Sequence, residues 1–155
     1  METTYYQSPI GCLKIVADKQ TIVSLQLTEG EKRPSESEKQ VKNEILQKAC
    51  RQLDEYFSGK RKTFDLPLTP KGTVFQTKVW AELQRIPYGK TISYAQLAQE
   101  VDNPKACRAA GSANGKNPIA IVIPCHRVIN ADGKLGGYAY GLKIKKQLLD
   151  LENGN

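Results

Sequence analysis

Hydrophobic and polar residues alternate early in the chain in three short runs, residues 3–6, 13–17 and 21–27, each rich in β-branched or aromatic side chains. Gly11 and the cluster Asp18-Lys19-Gln20 separate them as turns, so the pattern predicts a small antiparallel meander. A polar stretch follows over residues 29–37. Val41, Ile45, Leu46, Ala49, Leu53 and Phe57 then recur near helical spacing, the signature of one buried helix face, and Gly59 stops it. A further edge segment is expected over residues 64–68. Pro70-Lys71-Gly72 then punctuates the chain, and the domain boundary is placed there, giving units 1–72 and 73–155.

The pattern changes after Gly72. Thr73 is placed to cap a helix whose apolar face holds Phe75, Val79, Trp80 and Leu83, ended by Pro87-Tyr88-Gly89. Ser93 reads as the N-cap of a short helix over residues 94–101, Asp102-Asn103-Pro104 breaks it, and a second short helix is expected from 105 to about 115. Two short helices joined by a tight turn have the outline of a helix-turn-helix, although such pairs also serve as plain packing units. The second helix has little bulk: Ala106, Ala109, Ala110, Gly111, Ser112 and Ala113 surround one long cation, Arg108. Small residues let a helix lie close to another surface, whether a neighbouring helix or a ligand. Residues 119–123 read as a buried strand ended by Pro124, which sets Cys125, His126 and Arg127 at its mouth. Residues 130–133 form a turn, 136–141 a flexible loop and 145–152 a closing helix.

Charge is unevenly spread. The net charge is +7, and residues 73–155 hold 11 Lys and Arg against 6 Asp and Glu, whereas residues 1–72 hold 12 against 10. An anionic partner would therefore meet the second half. The four cysteines, Cys12, Cys50, Cys107 and Cys125, form no Cys-x-x-Cys pair and are expected to be free thiols. With His126 as the only histidine, no metal site is expected. No apolar run approaches the roughly 18 residues that span a bilayer, and the first residues lack the layout of a secretion signal, so the expected location is cytoplasmic.

The chemistry concentrates at Cys125-His126. A thiolate is a strong nucleophile, but a thiol of ordinary pKa is only slightly ionised at neutral pH and needs a base or a positive environment. His126 is the one imidazole available as base, and Arg127 adds a charge that could favour thiolate. On an extended segment adjacent side chains point oppositely, so either direct contact or a bridging water would connect the two.

The run Ile123-Pro124-Cys125-His126-Arg127-Val128, preceded by Thr91-Ile92-Ser93-Tyr94 and by Arg108 through Asn117-Pro118, resembles the O6-alkylguanine-DNA alkyltransferases. The likeness runs on through Gly136-Gly137-Tyr138-Ala139 and Leu148 to Glu152; before Gly72 it lies mainly in the order of strands and helix. The resemblance implies an α+β fold: a small N-terminal RNase H-like domain of antiparallel sheet plus helix, then a mainly helical winged helix-turn-helix domain. It implies irreversible transfer of a methyl or larger alkyl group from O6 of guanine, in a nucleotide flipped out of duplex DNA, to Cys125. His126 would activate the thiol through a water, Glu152 would orient the imidazole, and Asn117 would brace the turn. Tyr94 would help rotate the nucleotide and donate a hydrogen bond to the leaving guanine. Arg108 would fill the vacated place in the base stack, while Lys105, Ala109 and Ser112 would meet the minor groove. Val128, Tyr138, Ala139 and Asn114 would form the pocket. No cofactor is implied, because the cysteine is itself the acceptor. The expected partner is double-stranded DNA carrying O6-alkylguanine, bound by a monomer, with cooperative binding left open.

Some residues depart from the family pattern. Tyr140 stands where glycine is common in the pocket loop, and Asn114 and Ala120 replace bulkier or cyclic residues of some relatives, which bears on the substrate range; activity on O4-alkylthymine is left open. Three rival readings remain at this point: a lesion sensor without transfer, which the presence of Cys125 opposes; a helix-turn-helix transcription regulator with a structural cysteine; and a cysteine hydrolase.

Overall fold

The computed structural model describes residues 1–28 and 42–154. The expected polar stretch 29–37 and the helical position Val41 lie outside the described residues. Contacts divide the chain into two units, one of residues 1–70 with 118–120 and one of residues 71–117 with 121–155.

In the first unit, β1 (Glu2–Ser8), β2 (Gly11–Ala17) and β3 (Ile22–Leu27) form an antiparallel sheet in the order β1-β2-β3. Gly11 turns the β1-β2 hairpin at φ +128, where its missing Cβ leaves room for the Leu27 side chain. Leu13, Ile15 and Ala17 of β2 and Ile22 and Leu25 of β3 are fully buried. The outer edge of β3 is covered by two short parallel bridges, Ile22 to Leu68 and Leu25 to Ile119. Residues 64–68 are thus not a full strand: only Leu68 pairs, through the flanking bonds Ile22 N–H to Pro67 O (2.9 Å) and Thr69 N–H to Ile22 O (2.9 Å). Such cover blunts an edge that would otherwise template pairing with another chain.

Helix α1 (Glu44–Phe57) packs on β1 and β2. Asn43 caps it, its side-chain oxygen accepting from the backbone N–H of Ile45 and Leu46 at 2.9 and 3.1 Å. The buried face is Leu46, Ala49, Gln52, Leu53 and Tyr56, so the helix is rotated slightly from the expected face and leaves Ile45 and Phe57 half-buried. The reason is polar satisfaction: the Gln52 amide makes two bonds to the backbone of Asp65, at 3.0 and 2.9 Å, which makes its burial affordable.

In the second unit, α2 (Val74–Leu83), α3 (Tyr94–Glu100) and α4 (Cys107–Gly115) pack on one another. Thr73 and Ser93 each form a capping box, with Gln76 and Gln96 respectively. Trp80 is the largest buried side chain, and its indole N–H donates to Ala113 O at 2.9 Å, tying α2 to α4. Two-residue strands β4 (Ile92–Ser93) and β5 (Val128–Ile129) pair in parallel, and α5 (Leu142–Glu152) closes the chain, starting three residues before the expected 145. The α+β architecture expected from the sequence, a small antiparallel sheet with a helix followed by a mainly helical unit, is the one observed.

The expected buried strand over residues 119–123 is not a strand. Ile119, Ala120, Ile121 and Ile123 are buried, but only Ile119 pairs, and Ile121 turns the chain at φ +71, in the left-handed region. Apolar composition correctly signals burial there; it cannot register a bend. Among the described residues no helix is long and apolar enough to cross a membrane.

Candidate active site

Cys125, His126 and Arg127 lie on a single 3-10 turn, not on the extended segment expected, and all three are buried. Pro124 cannot extend a helix from before the turn, and hydrogen bonds fix the turn from below. Asn117 Nδ2 donates to Ile123 O at 2.6 Å, Cys125 N–H to the same oxygen at 2.8 Å, and Asn114 Nδ2 to Cys125 O at 3.3 Å. Asn117 thus bonds to the backbone two residues before Cys125. Burial pushes the Cys125 thiol above its ordinary range, and the Asn117 side chain, a backbone N–H, the Lys145 charge and the Tyr138 hydroxyl pull against that rise without cancelling it. At rest the group is a thiol, so its chemistry needs a base.

His126 is fully buried, and its Nε2 meets Glu152 Oε2 at 2.6 Å. A carboxylate only accepts, so Nε2 carries the proton and Nδ1 presents its lone pair. Nδ1 is buried and has no partner among the described residues. Burial lowers the imidazole pKa, against the hydrogen bond and charge of Glu152 that raise it. The ring is thus a neutral base held by an anion. Burial alone would raise the Glu152 carboxyl, but hydrogen bonds from His126 and Arg127 hold it at about 2.

Arg127 faces Glu152, not the thiol. Its Nε and Nη2 donate to Oε1 and Oε2 at 2.7 and 3.1 Å, its Nη1 donates to Ile86 O at 2.8 Å, and the guanidinium lies 5.7 Å from the Tyr88 ring. This bidentate pairing corrects the expectation that Arg127 stabilises thiolate: its charge is committed to the carboxylate. The cation that acts on Cys125 is Lys145, which sequence reasoning missed. It is fully buried, donates to the backbone oxygens of Val128 (2.6 Å), Leu135 and Gly137 (3.0 Å), and lies 5.9 Å from the Tyr94 ring. Burial lowers its pKa to about 8, against the opposing influence of Cys125. A signal was there: Lys145, Leu148, Leu149 and Glu152 share one helical stripe, and all four are buried.

A cavity of about 200 Å³ opens over Cys125, lined by Tyr94, Asn114, Gly137, Tyr138 and Ala139, with Gly111 and Gly115 of α4 on one side. Tyr138, Ala139 and Asn114 are thus brought together around Cys125. Val128 is fully buried in β5 outside that lining, and it contributes its carbonyl to Lys145. Tyr140 packs edge-on against Tyr138, with centroids 5.6 Å apart, so its bulk buttresses the cavity wall. The loop reaches this position through Gly136, at φ +72, where a Cβ would lie 2.8 Å from Asn130 Oδ1 and 3.1 Å from Tyr94.

Arg108, Ala109 and Ser112 are exposed on one face of α4, and Lys105 is exposed in the turn before it, because the helix starts at Cys107 and not at the expected 105. Beside them runs a groove of about 700 Å³, lined by Arg108, Cys107, Gly111, Tyr94 and Asp132 among others. Tyr94 and Gly111 belong to both groove and cavity. A long surface cation and a buried nucleophile are therefore joined by a continuous lining, with Gly111 leaving space for the Tyr94 ring at 3.5 Å from where a Cβ would be.

The sequence profile of the 6-O-methylguanine DNA methyltransferase ribonuclease-like domain matches residues 1–70, and that of the 6-O-methylguanine DNA methyltransferase DNA binding domain matches residues 74–154. A methylated-DNA–protein-cysteine methyltransferase of Methanosarcina acetivorans is 48% identical over 148 residues, 95% of each chain. One of Methanosarcina barkeri is 48% identical over 150 residues, covering 96% of this chain and 95% of its own. Among solved structures, that of Mycobacterium tuberculosis OGT in complex with DNA superposes with a TM-score of 0.88 at 40% identity, over 99% of this chain and 94% of that one. Spanning both units and including the turn that carries Cys125, these likenesses establish that the chain belongs to the 6-O-methylguanine DNA methyltransferase family.

Proposed function

We propose that this protein repairs double-stranded DNA by direct reversal, transferring the methyl or alkyl group of O6-alkylguanine irreversibly to Cys125, as a methylated-DNA–protein-cysteine S-methyltransferase. The observation that carries the reading is the buried Cys125 thiol at the floor of a 200 Å³ cavity, beside a neutral His126 whose proton-bearing Nε2 is fixed by Glu152. His126 Nδ1, through a bridging water, takes the thiol proton as Sγ attacks the alkyl carbon from the side opposite O6. The Sγ–C bond forms, the C–O6 bond breaks, and guanine leaves with the bonding pair and is reprotonated. Thiol and O6-alkylguanine become thioether and guanine, so atoms balance without a cofactor. The thioether offers no easy route back, and each molecule acts once.

The C-terminal half of the chain, residues 73–155, supplies DNA binding and the acceptor. The face of Lys105, Arg108, Ala109 and Ser112 meets the minor groove, small side chains permitting close approach, and Arg108 fills the place of the extruded nucleotide. Tyr94, shared by groove and cavity, turns the nucleotide inward and donates a hydrogen bond to the departing guanine. Backbone groups at Tyr138 and Ala139 hold O6. The protein acts as a cytoplasmic monomer.

The test mixes the protein with excess duplex carrying one O6-methylguanine and weighs the protein and its Cys125 peptide. One methyl per molecule on that peptide, absent from Cys125→Ala, is the expected result. Lesion binding with no mass gain would replace the transferase by a sensor, and indifference to the lesion would replace it by a sequence-reading regulator.

A further inference from the structure

One polar atom of the cavity has no role in the chemistry above. Asn114 is 4% exposed, lines the cavity beside Cys125, and its Oδ1 is one of two buried side-chain polar atoms without a partner among the described residues. Its other end is committed, because the Cys125 carbonyl can only accept and the contact at 3.3 Å must be made by Nδ2. The amide therefore cannot turn to hide its oxygen without facing two acceptors toward each other. A buried carbonyl oxygen left alone is costly, and binding a ligand that donates to it relieves the cost. The cavity is thus short of one donor.

The hydrogen-bonding inventory of the alkylated bases says which ligand brings one. Alkylation at O6 removes the N1 proton of guanine, leaving N1, N3, N7 and O6 as acceptors and the exocyclic amine at C2 as the only donor on the base. O4-alkylthymine has acceptors at O2, N3 and O4 and no donor at all. Both would place an alkyl group over Cys125, and only the guanine would satisfy Asn114.

We propose that Asn114 Oδ1, buried beside Cys125 in the cavity, accepts a hydrogen bond from the exocyclic amine of the extruded O6-alkylguanine and so makes this protein selective against O4-alkylthymine. The inference rests on the transferase reading of the same site. Asn114 is a specificity residue that touches the base, while Cys125, His126 and Glu152 carry the transfer itself.

The experiment measures single-turnover methyl transfer by the full-length protein from duplexes carrying O6-methylguanine, O6-methylhypoxanthine or O4-methylthymine. O6-methylhypoxanthine keeps the O6-methyl group and lacks only the amine. The wild type should react with O6-methylguanine at least about ten-fold faster than with O6-methylhypoxanthine, since a site built to bond a donor rejects the analogue without it. In Asn114→Leu, close in size and without an acceptor, that ratio should fall to within about two-fold, and the preference over O4-methylthymine should narrow by a similar factor. The ratio is taken within one preparation, so partial misfolding lowers all rates together and leaves it unchanged; Asn114→Ala provides a second variant should Asn114→Leu not fold. Equal wild-type rates on O6-methylguanine and O6-methylhypoxanthine, or discrimination that survives both substitutions, would overturn the assignment. Methyl transfer from none of the three duplexes would instead overturn the transferase reading itself.

Discussion

Replacing Glu152 with Gln keeps the shape of a buried side chain and removes the charge that His126 and Arg127 share. The carboxylate accepts from His126 Nε2 at 2.6 Å and from Arg127 Nε and Nη2 at 2.7 and 3.1 Å, and its side chain is 1% exposed. Burial alone would raise its pKa; those hydrogen bonds bring it from an ordinary 4.5 to about 2. At about 1.4 kcal/mol per pH unit, the fall corresponds to about 3 kcal/mol of stability at neutral pH. The folded group is the stronger acid, so this contribution is complete above pH 4.5 and disappears as the pH falls toward 2. Urea unfolding of wild type and Glu152→Gln should differ by about 3 kcal/mol at pH 7, and by less than half of that at pH 3. A gap of equal size at both pH values would refute the electrostatic account and point to lost packing. The variant should also transfer methyl groups more slowly, on the order of 100-fold or more, because the imidazole loses the partner that holds its proton on Nε2.

Other expectations follow from single contacts. Burial lowers the His126 pKa below 6.5 despite Glu152, so the base stays neutral into mild acid; transfer rates should decline only below pH 6.5, and a decline centred at 6.5 or above would show that burial does not outweigh Glu152. In Gly72→Ala a Cβ would stand 2.4 Å from Trp80 Cη2, which should cost about 1–3 kcal/mol in thermal unfolding, whereas Gly115→Ala, with nothing within 4 Å, should be neutral or stabilise by up to about 1 kcal/mol. Trp80→Phe leaves Ala113 O without its indole donor in a buried contact of 2.9 Å and should lower stability by about 1–3 kcal/mol, read from the shift of the urea midpoint. On the proposed reading exposed Arg108 serves the extrusion, so Arg108→Ala should slow transfer from duplex DNA by about ten-fold or more and leave transfer from the free O6-methylguanine base unchanged; equal losses on both substrates would place it in the chemistry.

Local rules written into the sequence are decisive over much of this chain. Thr73 and Ser93 stand before apolar helical runs with a glutamine three residues on, and both form capping boxes because all the atoms involved lie within four residues. Alternation in β2 and β3 and the turn at Gly11 likewise need only neighbouring residues, and the succession from Pro124 to Arg127 singles out Cys125 as the candidate nucleophile. Tertiary structure decided what depends on partners distant in sequence. Residues 119–123 are as apolar as any strand, yet Ile119 pairs with β3 and Ile121 bends away, a division set by the bridge to Leu25. Arg127 sits two residues from Cys125, but Glu152, 25 positions on, claims its charge, while Lys145 turns its ammonium toward three carbonyls. The unpaired oxygen of Asn114 is likewise invisible in sequence, because a missing partner is a property of everything packed around an atom. Electrostatic attraction and hydrogen bonding act through space, so the charge balance at Cys125 exists only once the turn, α4 and α5 have come together.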